Sequence, residues 1–327
     1  MASAAFLGLT NYNSSPFWSN AVPCALASLA VQYAVGLPST FLINPPSERY
    51  YDLTGALTNI AVAILSLYLP RWRAEDQLAT ASNGAALTLE PPNWRQVALT
   101  GAAVLWAARL GTYLFRRILR EGKDSRFDAM RTKPAKLLFA WTAQALWIVL
   151  CQSPVTAVNA VGAPVIATAK SGDAPSTSVL PAGVLWTDIL GFGLYAFGLV
   201  FESVADYQKS AWSAAKHAKQ HDEPFISRGL FSLSRYPHYF GETTLWTGIA
   251  VAAAGVLTRE PIRLALGGIS TATAVSIAAV SPAFTAFVLL KLSGVPLSEP
   301  KYDKKYGKRA DYQKWKKETP KFFPKFF

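Results

Sequence analysis

Between Phe201 and Thr244 the chain gathers the side chains best suited to holding a charged ligand. Glu202, Asp206 and Lys209 recur at i, i+4 and i+7, which puts them on one helical face. They stand where an apolar run, 184–200, gives way to polar sequence. After a polar loop come Arg228 and Gly229, then Ser234-Arg235-Tyr236-Pro237-His238-Tyr239-Phe240-Gly241-Glu242 leading into a second apolar run. Arginine forks onto phosphate oxygens. Glycine lets backbone approach closely, and aromatic rings stack on planar groups and cations. A cationic, ring-bearing corner between two apolar segments therefore fits an anionic, flat ligand such as a dinucleotide. Arg228 and Arg235 are the phosphate candidates. Glu202 and Asp206 either hold ribose hydroxyls and orient the arginines or form, with Lys209, a surface ion-pair face. Tyr236 and Tyr239 are either ring contacts or interfacial anchors. Glu299, Tyr302, Tyr306 and Tyr312, in the basic tail, either close the same site or lie along a lipid surface.

A second group lies in the first half. Arg109, Tyr113, Arg116 and Arg120 fall at i, i+4, i+7 and i+11 of one apolar segment. Arg109 is about two turns inside it, where a charge is costly and marks a site or pathway. Arg116 and Arg120 read equally well as cations snorkelling at a helix end. Asp52 opens another apolar segment, either as its N-cap or as a carboxyl that orients Tyr113 beside a substrate carbonyl. Asn59 and Arg109 are placed on the substrate pocket. His217 and His221, at i and i+4 beside Asp222, have metal-ligand spacing. His238 is the one remaining histidine, so the several His boxes of a di-iron membrane enzyme are missing and a solvated loop is the better account; no metal is expected. No Walker loop, Gly-x-Gly-x-x-Gly after a strand or serine elbow is present.

The elements that must carry these groups are apolar helices. Of 327 residues 51% are hydrophobic and 16% charged, against a usual charged share of about 25%. The apolar residues fall in blocks at 21–37, 52–69, 94–115, 137–151, 184–200, 240–257 and 264–292. The last is too long for one straight span of about 20 residues, and Ser281-Pro282 predicts a kink in it. Cys24 and Cys151 lie inside apolar blocks and read as buried thiols. Residues 1–20 carry no Lys or Arg, unlike the start of a cleaved signal peptide, and Asn13-Ser14-Ser15 is a glycosylation sequon.

The expectation is an all-α, polytopic membrane bundle of about seven transmembrane helices. The net charge of +12 then has a topological meaning rather than a nucleic-acid one. Roughly 25 of the Lys and Arg residues fall at 38–51, 116–136, 201–239 and the tail, against about six on the other side. That bias predicts a lumenal N-terminus and a cytosolic C-terminus, with anionic lipid headgroups beside the basic segments. No internal repeat points to a transporter.

The chain resembles the steroid 5α-reductase family, in its uncharacterised membrane branch. The resemblance rests on Glu202-x3-Asp206-Tyr207-Gln208-Lys209, Gly229-Leu230-Phe231 and Ser234-Arg235-x-Pro237-x-Tyr239-Phe240-Gly241-Glu242. Ser293-Gly294-Val295-Pro296-Leu297-x-Glu299, Tyr312 and Phe323-Pro324 extend it. It covers 184–327 well and the first half loosely, which divides the chain into a membrane half, 1–183, and a reductase-like domain, 184–327. Where the family reads Arg-His-Pro-Asn-Tyr, this chain has Tyr236 and His238 in place of the His and the Asn; that Asn contacts the nicotinamide amide.

The resemblance implies an NADPH-dependent reductase of the endoplasmic reticulum that saturates an enone C=C bond in a lipophilic, steroid- or lipid-like substrate. Tyr113 would then be the proton donor and Asp52 its partner. Glu202, Asp206, Lys209, Arg228, Arg235, His238, Tyr239, Glu242, Glu299 and Tyr306 would hold the cofactor. Two alternatives stand. The isoprenylcysteine methyltransferases carry a similar Arg-x-Pro-x-Tyr-x-Gly corner, which admits an S-adenosylmethionine-dependent membrane methyltransferase. A non-catalytic lipid-binding membrane protein is the other.

Overall fold

A computed structural model describes residues 15–81, 87–89, 91–124, 126–128, 130–162, 165–167 and 179–326. The Asn13 sequon lies outside them. Seven helical stretches among these residues are long and apolar enough to cross a membrane. They are α1 (Pro16–Leu37, prolonged by a π-helical turn to Leu42), α2 (Tyr51–Ala81), α3 (Trp94–Glu121), α4 (Pro134–Cys151), α6 (Trp186–His217), α8 (Pro237–Leu257) and the run that begins with α10 (Thr271–Phe287). Short helices fill the connections: α5 (Ser153–Asn159), α7 (Leu230–Leu233), α9 (Glu260–Ala265), α11 (Val295–Tyr306) and α12 (Ala310–Glu318). A three-residue antiparallel ladder pairs β1 (Leu87–Leu89) with β2 (Val165–Ala167), Leu87 opposite Ala167. The chain is an integral, multi-pass membrane protein with the all-α fold its apolar blocks predict.

Local chemistry sets the helix ends. Asn93 opens α3 with a capping box: its side-chain oxygen accepts the Arg95 N–H at 3.0 Å, and Gln96 Oε1 accepts the Asn93 N–H at 3.0 Å, so two otherwise orphaned donors are satisfied. Gly122 closes α3 at φ +76°, a left-handed C-cap that suits glycine. Three expected boundaries are corrected. Polar sequence after residue 69 stays helical through Pro70 to Ala81, and α6 runs on past the apolar run to His217. The segment 264–292 is broken at Gly267 and Gly268, with φ of +92° and +74°, while α10 continues through Pro282.

The chain divides into two compact units, Met1–Asp188 with Val251–Ser281, and Ile189–Ala250 with Pro282–Phe327. The first buries polar side chains among apolar ones such as Leu99, Trp106, Leu137, Trp141 and Ile148, and turns other large apolar side chains outward. Leu57, Leu105, Phe139 and Leu146 are exposed, whereas Asn20, Gln32, Thr58, Asn59, Ser66, Gln152 and Asn159 are buried. In a bilayer the helices gain nothing by hiding leucine from lipid, so small residues and hydrogen bonds join them instead. Asn20 Nδ2 donates to the Ser66 and Thr156 carbonyls at 3.0 and 3.2 Å. Gln32 Nε2 donates to Thr58 Oγ1 at 2.9 Å, and Asn159 Nδ2 to Ser66 Oγ and Thr100 Oγ1 at 2.8 and 3.0 Å. These pairs set α1 antiparallel to α2. A Cβ on Gly111 would fall 2.3 Å from Ala56 Cβ, so α2 meets α3 at van der Waals range because that side chain is absent; one on Gly55 would displace the end of the Gln144 side chain, 2.4 Å away. Exposed Trp18, Trp72, Trp94 and Trp186 mark one end of this unit's helices; Phe41, Tyr50 and Phe139 mark the other, in keeping with interfacial aromatic belts.

One ion pair in this unit is wholly desolvated. Arg95 Nη2 lies 2.6 Å from Asp188 Oδ2, with side chains 1% and 2% exposed. Arg95 also donates to the Pro181 and Gly183 carbonyls, and Asp188 accepts the Leu185 N–H at 2.7 Å. The pair joins the start of α3 to the loop and first turn of α6. Removing one partner leaves the other charge buried and uncompensated, a cost of about 3–5 kcal/mol. Asp188→Ala is therefore expected to lower the thermal unfolding midpoint in detergent far more than Asp311→Ala, whose pair with Arg309 is solvent-exposed.

Candidate functional site

The second unit contains a solvent-open hollow whose enclosed space is about 50 Å³. Its walls combine charge and rings: Lys209 from α6, Arg235 and Tyr236 from the corner before α8, His238 and Tyr239 from the first turn of α8, and Tyr302, Tyr312 and Trp315 from α11 and α12. The corner has this shape because glycines admit it. Gly229 sits at φ +61° and ψ −137°, a conformation open to glycine alone. A Cβ there would meet Gln208 Oε1 at 2.4 Å, and that oxygen accepts the Leu230 N–H at 2.9 Å. Helices α6 and α8 touch backbone to backbone, since a Cβ on Gly198 would lie 2.5 Å from Leu245 N and one on Gly241 2.6 Å from Glu202 N.

Residues 319–326 form a strap beneath this corner. The Arg235 N–H donates to the Pro320 carbonyl at 2.9 Å, Ser234 Oγ to the Phe322 carbonyl at 2.9 Å, and the Lys325 N–H to the Leu233 carbonyl at 3.0 Å. Phe322 and Phe323 rest edge-on against Phe240. Trp315 Nε1 donates to the Phe231 carbonyl at 3.1 Å, which fixes α12 against α7.

Charge in the hollow is predominantly positive. Arg235 Nη1 is hydrogen-bonded to Glu299 Oε1, while its Nε is buried with no hydrogen-bond partner among the described residues. Glu299 also receives Lys321 Nζ at 3.0 Å and Lys316 Nζ at 3.5 Å. Lys316 binds Asp303 at 2.7 Å, and the Tyr312 hydroxyl donates to the same carboxylate at 2.8 Å. Burial, with Glu299 nearby, raises the Tyr236 phenol above its ordinary value; burial and the hydrogen bond to Asp303 do the same for Tyr312. Both rings stay neutral at physiological pH. Tyr236 lies parallel to Tyr239 at 5.4 Å between centroids, and His238 is 4.1 Å from Tyr239.

Of the expected cofactor residues, Lys209, Arg235, His238 and Tyr239 line the hollow. The others are placed differently. Arg228 is 62% exposed and lies 3.7 Å from Glu223, away from the lining. Glu202, Asp206 and Glu242 are buried along α6 and α8. Tyr306 packs in an aromatic cluster with Phe225, Tyr302 and Tyr312, and Glu299 holds Arg235 from its Nη1 edge. Phe231 also lines the hollow, as do Trp315, Ser298 and Ile226, which were not singled out from sequence. Tyr312 and Trp315 at i and i+3 in a Lys-rich helix are the pattern that marks the tail as a packed wall. His221 Nε2 donates to the Trp212 carbonyl at 3.0 Å, and no group of three or more metal-ligating side chains occurs among the described residues.

In the first unit, Asp52 is committed to cations. Its carboxylate takes Arg126 Nη2 at 2.8 and 2.9 Å and lies 3.6 Å from Arg117. Asp124 binds Arg117 at 2.9 Å and Arg126 at 2.7 Å. Glu48 binds Arg131 and accepts the Asp124 N–H at 3.0 Å. Tyr113 and Arg109 stand half-buried on α3. Asn59 is buried and tied to Gln152, which donates to its carbonyl and side-chain oxygens at 3.3 Å; it joins α2 to the turn before α5. Asp52 thus takes part in an ionic clasp between the start of α2 and the segment that follows α3. Sequence missed the clasp because its arginines lie in a loop whose cations read equally well as topology signals.

Residues 72–319 match the family described as "Protein of unknown function (DUF1295)". The match takes in every residue of the hollow with Arg109 and Tyr113, and leaves out Asp52 and Asn59. No curated protein and no solved structure matches.

The clasp has a pH signature. Burial opposes ionisation of Asp124, yet Arg126 and Arg117 together hold its carboxyl below the usual 3.8. Burial likewise opposes ionisation of Glu48, and Arg131 with the Asp124 N–H holds it below the usual 4.5. Lowered carboxylates stabilise fully above their unfolded values and lose that contribution as pH falls through the folded ones. Hydrogen-exchange protection across 122–133, corrected for intrinsic rates, is therefore expected to be level near neutrality and to drop below about pH 4. The same measurement on Asp124→Asn should show weak protection at every pH.

Proposed function

This chain belongs to the DUF1295 family, and we propose that it is a membrane-embedded reductase that uses NADPH to saturate a C=C bond conjugated to a carbonyl in a lipophilic, steroid- or lipid-like substrate. The hollow of the second unit is the observation that supports this reading. Arg235 presents a buried, unsatisfied N–H, and a desolvated donor left unmade costs about 1–3 kcal/mol, so an anionic oxygen there is strongly favoured. Lys209 and Arg235 line the hollow, and Lys316 and Lys321 stand beside it on Glu299 and Asp303, with no carboxylate among the described residues of the lining itself. That excess suits the phosphates of a dinucleotide and disfavours the cationic sulfonium of S-adenosylmethionine. The rings of Tyr239 and His238 suit a planar heterocycle.

The fit divides by residue. Arg235 and Lys209 would take phosphate, and Tyr239 and His238 would face a ring. When bound, NADPH supplies a hydride to the β-carbon of the enone. Tyr113, a phenol with an ordinary pKa of about 10, is assigned the hydrogen bond to the carbonyl oxygen and the proton that completes the reaction. Asp52 is assigned a positioning role: its bond to Arg126 holds the start of α2 against the loop 122–133. We place the basic segments and the C-terminus on the cytosolic face, where NADPH is available, because the cations cluster there. The endoplasmic reticulum follows from the resemblance to the reductases.

Calorimetric titration of detergent-purified protein tests the reading. NADPH is expected to bind and S-adenosylmethionine not to, with Arg235→Gln weakening NADPH roughly ten- to a hundredfold. Binding of S-adenosylmethionine alone would move the protein to the methyltransferase class, and binding of neither would favour a lipid-binding role. Tyr113→Phe should abolish turnover of an enone substrate while leaving NADPH affinity unchanged; unaltered turnover would remove Tyr113 from the chemistry.

A further inference from the structure

The cofactor reading leaves the placement of Glu299 beside Arg235 unexplained. Glu299 is 15% exposed and sits among Arg235, Lys321 and Lys316. Its carboxylate meets the cation that lines the hollow, Arg235, and the cation of the strap, Lys321. A carboxylate bonded to an arginine fork makes the same contact a phosphate oxygen would make. The arrangement is also incomplete in a telling way. Arg235 has one edge engaged by Glu299 while its buried Nε has no partner among the described residues. One carboxylate serves three cations, and the guanidinium is only half satisfied.

We propose that Glu299 is a built-in competitor for the anion site: its carboxylate stands where a phosphate of the ligand binds, and ligand entry displaces it from Arg235 toward Lys316 and Lys321. This rests on the reading of the hollow as a phosphate-binding site, and it changes the role of Glu299 from a cofactor contact to a latch. Because Glu299 keeps Lys321 when it lets go of Arg235, the strap stays pinned by its three main-chain and hydroxyl bonds to Leu233, Ser234 and Arg235. The exchange swaps one charge-assisted bond for another and adds the partner that Arg235 Nε lacks. Part of the ligand's binding energy is used to move the carboxylate, so the latch lowers affinity for small phosphates that offer no further contacts. A ligand that also stacks on Tyr239 and His238 overcomes it.

Opposite signs separate a competitor from a positioning residue. Isothermal titration of the full-length protein with inorganic pyrophosphate is the probe, and NADPH is titrated in parallel. If Glu299 competes, Glu299→Gln binds pyrophosphate about fivefold more tightly than the parent chain. Glu299→Asp, which keeps the charge and retracts it by one methylene, falls between the two. The gain should be larger for pyrophosphate than for NADPH, whose ring contacts already outweigh the latch. Unchanged or weaker pyrophosphate binding in the variants would make Glu299 a support for Arg235 and overturn the proposal. Should Glu299→Gln fail to fold, Glu299→Asp alone decides, since a supporting role predicts weaker binding there and a competing role tighter. Pyrophosphate binding that follows this order without any NADPH binding would keep the latch and remove the dinucleotide. No pyrophosphate binding to any of the three proteins would remove the latch itself.

Discussion

A bilayer offers no hydrogen bonds, so a polar group in a spanning segment can be satisfied only by a partner inside the protein. That constraint explains the first unit. Its helices turn leucine and phenylalanine outward and bring Asn20, Gln32, Thr58, Ser66 and Asn159 together. The same rule governs Arg95 and Asp188, which neutralise each other and also bind or cap the main chain beside them. The small residue at Gly111 follows from it too. Interhelical hydrogen bonds need backbones close together, and a methyl group there would hold them apart.

Charge is handled differently in the two units. In the first, the arginines of the loop 122–133 are paired closely with Asp52, Asp124 and Glu48, and the clasp they form is an end-piece for the helices α2 and α3. In the second, Arg235 and Lys209 face the hollow without a carboxylate in its lining, and the Arg235 guanidinium has a buried Nε with no hydrogen-bond partner among the described residues. A balanced network stiffens a corner of the fold. An unbalanced one beside aromatic rings prepares for a visitor.

Much of this was legible in the sequence, for physical reasons. Seven long apolar blocks leave little choice of architecture, and Arg235, Tyr239 and Lys209 stood out because cations and rings at a helix entrance have few structural uses. Other parts were hidden. Arg228 and Arg235 look alike in sequence, each close to a backbone-restricting residue, yet one points to Glu223 and solvent and the other into the hollow. Asp52 reads as a cap or an acid, and only the fold brings Arg126 to it across 74 positions of chain. The break at Gly267 and Gly268 was masked by Pro282, the more obvious helix breaker, because a proline within a long membrane helix can be absorbed by local adjustment. Trp315 belongs to a helix whose lysines suggest a surface, and its indole is turned inward by one bond to the Phe231 carbonyl.

The strap of residues 319–326 has a consequence for how the protein comes into being. Translation delivers the corner at Leu233–Arg235 roughly 90 positions ahead of its supports, Pro320, Phe322 and Lys325. Until those residues emerge, the main chain of the corner lacks these partners. Insertion of the helices and maturation of the pocket are thus separated in time. A nascent chain passes through a stage in which it is fully threaded into the membrane but not yet able to hold a ligand.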